Sequence, residues 1–271
     1  MRLSSPVTAT LAIATLALAG CGGGASTSTQ TPTAPPVHQS KPRAVFGRPA
    51  GGQTPRALVM LIHGGGWKGI DPIAFKDTLA VATLIQRLGY ETLTVDYRQG
   101  AQGVSDVDAF YRKARRRFGP QLPICVYGTS AGGHLGLMLA VRHPDLACVI
   151  DLAGPTDLPA LKANADAYRL ATDAFGTARL AQFSPALHAG SIKARLMLVF
   201  AKNDPLVPVA QGYAMARADP NARLIVLPPG PAAFIHTGVG APVQASGVDL
   251  AASQRAQQAE VAFIAAVAAG G

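Results

Sequence analysis

The chain has 271 residues, enough for one large α/β domain with a sizeable core, so a second domain is not required. Its formal net charge of +9 suggests nucleic acid as a partner, but no motif with interleaved aromatic residues accompanies the basic residues. Much of the charge lies in residues 112–117, where it is typical of a solvated helix face. These features exclude nucleic-acid binding as the main function, whereas contact with an anionic membrane surface stays open.

The first residues have the pattern of a bacterial export signal. A basic start at Arg2 precedes the apolar run Leu11–Ala19, which is too short to be a permanent membrane span. The signal ends in Leu-Ala-Gly-Cys, which resembles the lipobox of bacterial lipoprotein precursors. The resemblance implies removal of residues 1–20 and lipid attachment to Cys21, and Gly22 in place of an aspartate favours the outer membrane. An ordinary secretory signal is the alternative.

A tether is expected between this signal and the folded domain. Residues 21–43 are rich in Gly, Ser, Thr and Pro and have almost no apolar content. Such a segment cannot bury enough surface to fold, so we expect it to be flexible. The folded domain is predicted over residues 44–271. The signal, the tether and the folded domain together predict an exported protein. A lipid on Cys21 would anchor it to a bacterial membrane, on the periplasmic or outer surface.

From Ala57 onwards, apolar runs of strand length alternate with segments of helical spacing. Strands that are apolar throughout belong to a parallel sheet covered on both faces, so the pattern predicts a doubly wound, mostly parallel α/β sheet with helices on both faces. Ligands bind to such sheets beyond the carboxyl ends of the strands. The predicted strands are 57–63, 91–97, 122–127, 146–152, 194–201 and 222–227, and the predicted helices are 75–90, 104–118, 131–142 and one within 244–269.

Cys125 and Cys148 lie in neighbouring predicted strands of the folded domain. Both strands are apolar, so we expect two buried free thiols. A disulfide in an oxidising periplasm is the alternative.

The segment Gly128-Thr129-Ser130-Ala131-Gly132 stands between a predicted strand and a predicted helix. Gly-x-Ser-x-Gly in this context is the pattern of a nucleophile elbow, a sharp turn where larger side chains would crowd the neighbouring strand or helix. The helix that begins at Ala131 also directs its positive end at the site. We therefore interpret Ser130 as a nucleophile, with a plain tight turn of small residues as the alternative.

The letters HGGGW, which begin at His63, follow the first long predicted strand. Together with the elbow they resemble the α/β-hydrolase fold, and within it the HGGG-type esterases and lipases related to hormone-sensitive lipase, over about residues 56–269. The resemblance implies that the backbone N–H groups of Gly65, Gly66 and Ala131 form an oxyanion hole. His63 itself is expected to brace this loop.

The acid of a Ser-acid-His triad follows the serine in this fold. Asp204 comes just past the predicted strand 194–201, in a segment similar to the G-x-x-D-x-x-V-P loop of the family, with Ala-Lys-Asn where a glycine often begins it. We therefore expect Asp204 to be the acid, with a helix cap as its alternative role. The rival acids are Asp157, after the preceding strand, and Asp151, which lies in a strand interior.

The base is expected at His236, which follows the last predicted strand and comes 32 residues after Asp204. The family commonly has glycine beside this histidine, whereas Phe234 and Ile235 precede it here. The other histidines of the domain fit less well, because they lie in the elbow helix, beyond its far end, and before the acid strand: His134, His143 and His188.

This constellation predicts a serine hydrolase that cleaves carboxylic esters through an acyl-enzyme, without a metal or an organic cofactor. A short cap, about residues 154–183, favours short-chain or small acyl esters. The segment TVDYRQGAQ departs from the YRLAPE of the hormone-sensitive-lipase-like group. It places the chain nearer the small-cap esterases, some of which remove acetyl or feruloyl groups from polysaccharides. The alternatives are an arylformamidase-like amidase or peptidase, because HGGGW also occurs there, and a non-catalytic binding protein on the same scaffold.

Overall fold

A seven-stranded sheet lies at the centre of the computed structural model, which describes residues 41–234 and 246–270. Its order is β1-β3-β2-β4-β5-β6-β7; β1 pairs antiparallel with β3, and the other strands are parallel. The mostly parallel sheet is therefore confirmed. The strands are β1 (Ala44–Gly47), β2 (Leu58–Ile62), β3 (Glu91–Val95), β4 (Ile124–Thr129), β5 (Cys148–Leu152), β6 (Arg195–Ala201) and β7 (Arg223–Leu227).

Helices cover both faces of this sheet. The chain moves to one side after β2 and to the other side after β3, β4 and β6. Because parallel crossovers are right-handed, the two directions put the connecting helices on opposite faces. The helices are α1 (Pro72–Arg87), α2 (Ala101–Phe118), α3 (Ala131–Arg142), α4 (Ala165–Phe175), α5 (Ala210–Ala218) and α6 (Leu250–Ala268). Within the described ranges, no helix has the length and apolar character needed to cross a bilayer.

Local sequence signals explain where α1 begins and ends. The side chain of Asp71 accepts hydrogen bonds from the N–H groups of Ile73 and Ala74, and Pro72 occupies the first helical position. Gly89, with φ 86°, follows the end of the helix, as the sequence predicts. Helix α1 therefore starts three residues earlier than the hydrophobic spacing alone indicates.

The end of the domain differs from its prediction. The segment 244–269 contains not only α6 but also β9 (Ser246–Val248), which pairs antiparallel with β8 (Pro229–Phe234). Neither of these two strands nor the edge strand β1 was predicted from the sequence. Two prolines stand in β8, and proline is depleted in strands because it cannot donate to the ladder. Short strands of this kind lack the continuous apolar run that identifies β2.

Cys125 and Cys148 form a disulfide, so the expectation of two free thiols is wrong. The two residues are direct partners in the β4–β5 register, and their Cα atoms are 4.5 Å apart. That separation lies within the range that a disulfide spans. The sequence placed both cysteines in neighbouring strands, but only the register shows that they lie opposite each other.

Three predictions concern residues outside the described ranges. They are the signal peptide with its lipid-bearing Cys21, the tether as far as residue 40, and the base His236. These remain predictions.

Candidate active site

Ser130 lies in the turn that joins β4 to α3, with φ 54° and ψ −121°. A non-glycine residue adopts positive φ only where its surroundings hold it. The N–H of Ser130 donates to the carbonyl oxygen of Leu152 at the end of β5, over 2.7 Å, and its own carbonyl accepts from the N–H of His134, over 3.0 Å. Ser130 is only 5% exposed. The turn therefore has the sharp, strained geometry of a nucleophile elbow.

The two glycines of the motif allow close backbone contacts around this turn. A Cβ atom at Gly128 would overlap the carbonyl oxygen of Gly132, and one at Gly132 would overlap the carbonyl oxygens of Ile62 and His63. The first turn of α3 thus lies directly against the end of β2. Glycine is required at both positions because the obstructing atoms belong to the backbone and cannot rotate away.

The glycine loop that follows β2 has an unusual backbone. Gly65, Gly66 and Trp67 all have positive φ, at 113°, 60° and 56°. The strand before this loop pairs with β4, the strand before the elbow. The loop and the N-terminus of α3 therefore lie at the same edge of the sheet, and the expected oxyanion donors Gly65, Gly66 and Ala131 belong to these two segments.

His63 ties the start of the loop to the segment after β3. Its Nδ1 lies 2.7 Å from the carbonyl oxygen of Gly64, and its Nε2 lies 3.0 Å from Oδ1 of Asp96. The hydroxyl of Tyr97 donates to the carbonyl oxygens of both His63 and Gly64, over 3.1 and 2.9 Å. Because both ring nitrogens face acceptors, His63 directs no lone pair at a substrate. These contacts match the bracing role predicted for it.

Asp96 is the buried anion of this brace. Burial raises the pKa of its carboxyl, but hydrogen bonds from His63, Arg43 and the N–H of Tyr97 outweigh that effect and hold the pKa below its usual value. The carboxylate therefore stays ionised and keeps its partners in place. Asp96 was not predicted as a functional residue, because it fell inside the predicted strand 91–97, whereas β3 ends at Val95 and leaves Asp96 directly after the strand.

Asp204 lies in the loop after β6 and is 8% exposed. Its Oδ1 accepts hydrogen bonds from the N–H groups of Leu206 and Val207, each over 2.9 Å. These bonds orient the carboxylate within its loop. Because β5 alone separates β4 from β6, Asp204 and Ser130 follow strands that are about 10 Å apart.

The rival acids have other partners. Oδ1 of Asp157 accepts from the N–H of Ala160, over 3.2 Å, as a local turn contact. Asp151 is completely buried, and a Cβ at Gly133 would overlap its Oδ1, so its side chain lies against α3. Burial raises the pKa of Asp151 to about 8, although a hydrogen bond from the N–H of Gly154 lowers it in part. A carboxyl that is neutral at pH 7 is a poor partner for an imidazolium.

The three other histidines that were considered for the base do not contact Ser130 or Asp204 through any side-chain hydrogen bond among the described residues. His134 is buried in α3. His143 lies 2.6 Å from Oδ1 of Asp108, and His188 lies 3.2 Å from the carbonyl oxygen of Ala181. The expected base His236 lies outside the described residues, and its role remains a prediction.

The segment predicted as a cap lies between β5 and β6 and contains α4. The side chain of Leu170 covers Gly66, where an ideal Cβ would be 3.2 Å from Cδ2 of the leucine. Phe175, at the end of α4, packs edge-on against Trp67 with ring centroids 5.4 Å apart. This part of the chain therefore covers the glycine loop.

A comparison with protein families agrees with this geometry. The model of the BD-FAE family, whose fold is that of the α/β-hydrolases, matches residues 46–218, more than half of the chain. The chain belongs to the BD-FAE family. The matched residues of this BD-FAE chain include Ser130, the glycine loop and Asp204, and they end before His236. A closer relation to the hormone-sensitive-lipase-like group remains a prediction.

Solved structures share the fold of this BD-FAE chain at low sequence identity. An esterase from the Planctomycetes species Thermogutta terrifontis, with propionate bound, has a TM-score of 0.62 at 20% identity, covering 85% of this chain and 91% of its own. An acetyl ester-xyloside bifunctional hydrolase from Caldicellulosiruptor lactoaceticus has a TM-score of 0.61 at 18% identity, covering 73% and 82%. The acylaminoacyl peptidase of Pyrococcus horikoshii has a TM-score of 0.55 at 16% identity, covering 68% and 34%. No curated protein matches the sequence.

Proposed function

We propose that this chain is a serine carboxylesterase with Ser130 as nucleophile. The observation that carries the proposal is the strained backbone of Ser130 beside a loop of positive-φ glycines. Ser130 attacks the ester carbonyl while His236 takes its proton, and the proton then passes to the leaving alcohol. Water, activated by His236, hydrolyses the acyl-enzyme and regenerates the serine. The N–H groups of Gly65, Gly66 and Ala131 stabilise the oxyanion in both steps.

Asp204 orients the imidazole of His236 and stabilises its charged form. The hydrogen bonds from Leu206 and Val207 to Oδ1 support this role, because they hold the carboxylate in one orientation. The burial of Asp151, which raises the pKa of its carboxyl, disfavours that rival.

The proposed substrates are esters of small acyl groups. Leu170 lies over Gly66 and limits the space beside the proposed oxyanion donors. Two structures with the same fold support this proposal, since one is an esterase with propionate bound and the other is named an acetyl ester-xyloside hydrolase. We therefore include acetyl groups carried on carbohydrate among the proposed substrates.

Hydrolysis of an amide bond is the second candidate. The likeness to an acylaminoacyl peptidase favours it, because that enzyme has the same fold. A series of p-nitroanilides assayed beside the esters distinguishes the two bond types.

The test is hydrolysis of p-nitrophenyl esters from acetate to palmitate by the full chain. We expect activity to peak at acetate or butyrate and to fall at least about 1,000-fold in Ser130→Ala. Ser191→Ala, an exposed serine remote in sequence from the elbow, is the matched control and should keep wild-type activity. Asp204→Asn should lower kcat by about 10⁴-fold, whereas Asp157→Asn should not. A folded wild type that hydrolyses no ester and does not react with a fluorophosphonate probe would falsify the proposal.

A further inference from the structure

Trp67 and His134 connect the glycine loop to the elbow helix. The indole Nε1–H of Trp67 donates to Nδ1 of His134 over 3.0 Å, and the two rings meet edge-on with centroids 5.2 Å apart. Trp67 is 3% exposed and His134 is fully buried. The bond therefore lies in the interior, where an unpaired N–H would be destabilising.

The hydrogen bonds of His134 determine which ring nitrogen carries the proton. An indole N–H can only donate, so Nδ1 of His134 must be the unprotonated acceptor. Nε2 lies 2.7 Å from the carbonyl oxygen of Phe183, which can only accept, so Nε2 carries the proton. Burial lowers the pKa of His134 to about 4, although the bond to Phe183 raises it in part. The ring is therefore neutral at neutral pH, with one defined tautomer.

This arrangement holds a strained segment. Trp67 has φ 56° and directly follows Gly65 and Gly66 in the loop. A tryptophan with positive φ is strained and needs surroundings that hold it in that conformation. His134 supplies a hydrogen-bond partner for the indole, and Phe175 packs edge-on against the same ring.

His134 is in turn anchored to the nucleophile. Its backbone N–H donates to the carbonyl oxygen of Ser130 over 3.0 Å. The chain of contacts from Ser130 through His134 to Trp67 therefore relates the position of the serine to that of the glycine loop. A displaced indole would move the N–H groups of Gly65 and Gly66 relative to Ser130.

We infer that His134 is a positioning residue, which holds the glycine loop in its oxyanion-binding geometry by accepting the hydrogen bond of Trp67. The inference rests on the proposed esterase function. Donors to an oxyanion act on the transition state more than on the bound substrate, so loss of this bond lowers kcat and leaves KM nearly unchanged.

The kinetic test compares His134→Leu, which removes the acceptor, with His134→Asn, whose Oδ1 can replace Nδ1 as acceptor. We expect His134→Leu to lower kcat about 10- to 100-fold, because losing one oxyanion donor outright costs about 10²- to 10³-fold. KM should change less than about threefold, and His134→Asn should recover most of kcat. Trp67→Phe should show a similar loss, and the double variant Trp67→Phe/His134→Leu should lose no more than either single variant.

A spectroscopic readout follows the bond itself. Trp67 is the only tryptophan of the chain, so the ¹⁵N-labelled protein gives one indole N–H resonance. In the wild type this resonance should be shifted downfield and protected from exchange. In His134→Leu it should move upfield and exchange faster, whereas in His134→Asn it should stay near the wild-type position.

The outcomes separate the inference from the proposed function. A wild type without esterase activity removes the proposed function, whatever the indole resonance shows. A wild type that is active, beside a His134→Leu variant with a shifted indole resonance and unchanged kcat, overturns the inference alone. If His134→Leu does not fold, Trp67→Phe decides, because it removes the same bond: wild-type kcat in that variant overturns the inference.

Discussion

At the elbow, Ser130 holds a backbone conformation that costs a non-glycine residue about 1–3 kcal/mol. Contacts on each side keep it there: the N–H of Ser130 bonds to Leu152, and its carbonyl accepts from the N–H of His134. Gly132 contributes by allowing α3 to contact the backbone of β2 at Ile62. The strain at one residue is therefore held by the close packing of its neighbours.

Gly132→Ala tests the contact between α3 and the end of β2. The added methyl overlaps the carbonyl oxygen of Ile62, so α3 must shift and displace Ser130. We expect kcat/KM on p-nitrophenyl acetate to fall more than about 100-fold and the free energy of unfolding to fall by about 1–3 kcal/mol. Gly190→Ala is the matched control, because a Cβ there meets no heavy atom within 4 Å. Wild-type kcat/KM in Gly132→Ala would contradict the role given to this contact.

At the scale of elements, α4 covers the glycine loop and belongs to the segment predicted as a cap. Leu170 lies over Gly66, and a Cβ at Gly100 would overlap the carbonyl oxygen of Ala174, so the helix is in close contact with the segments beneath it. Its N-terminus is capped by Asn164, whose side chain accepts from the N–H of Ala167. A capped and closely packed helix gives Leu170 a defined position beside the proposed site.

We predict that Leu170→Ala shifts acyl selectivity toward longer chains. Removal of the isobutyl group opens space next to Gly66, and space for one methylene in an apolar pocket changes selectivity by about tenfold or more. The ratio of kcat/KM for octanoate to that for butyrate should rise about tenfold. Leu84→Ala, on the exposed face of α1 at 57% exposure, is the control for the same substitution. An unchanged ratio in Leu170→Ala would remove this leucine from the pocket.

At the scale of the whole molecule, buried carboxyls with raised pKa values make stability depend on pH: Glu91, Asp151 and Glu260. Burial raises the pKa of Asp151 to about 8 and that of Glu260 to about 7, although a hydrogen bond from the Tyr127 hydroxyl lowers the latter in part. Both values lie above those of the unfolded chain, near 4. The folded state therefore binds more protons between about pH 4 and pH 8, so the free energy of unfolding falls as pH rises through that window.

Asp151→Asn tests the largest of these contributions. The amide cannot ionise, so the variant should gain stability relative to wild type as pH rises from 5 to 8, by up to about 1.4 kcal/mol per pH unit. Urea unfolding at both pH values measures the difference in the free energy of unfolding between the variant and the wild type. The contributions of Glu91 and Glu260 cancel in that difference because both proteins contain them. Ser191→Ala, an exposed substitution that changes no titratable group, should show no such trend. An equal difference between Asp151→Asn and wild type at pH 5 and pH 8 would mean that the Asp151 carboxyl is ionised in the folded state.

The sequence by itself determined the fold class and the position of the elbow. Continuous apolar runs such as β2 specify buried parallel strands, and a glycine-flanked serine between a strand and a helix is a local pattern. Asp204 could be placed after a strand because the apolar run 194–201 precedes it in the sequence. The role of His236 depends on a resemblance and on chain order, and it stays a prediction.

Only the tertiary structure decided which distant residues meet. It paired Cys125 with Cys148, because the register of two strands cannot be read from apolar runs alone. It also joined Trp67 to His134 and buried the carboxyl of Asp151 against α3. The physical reason is the same in each case. Local patterns specify an element and its buried face, whereas contacts between elements depend on how the whole sheet brings them together.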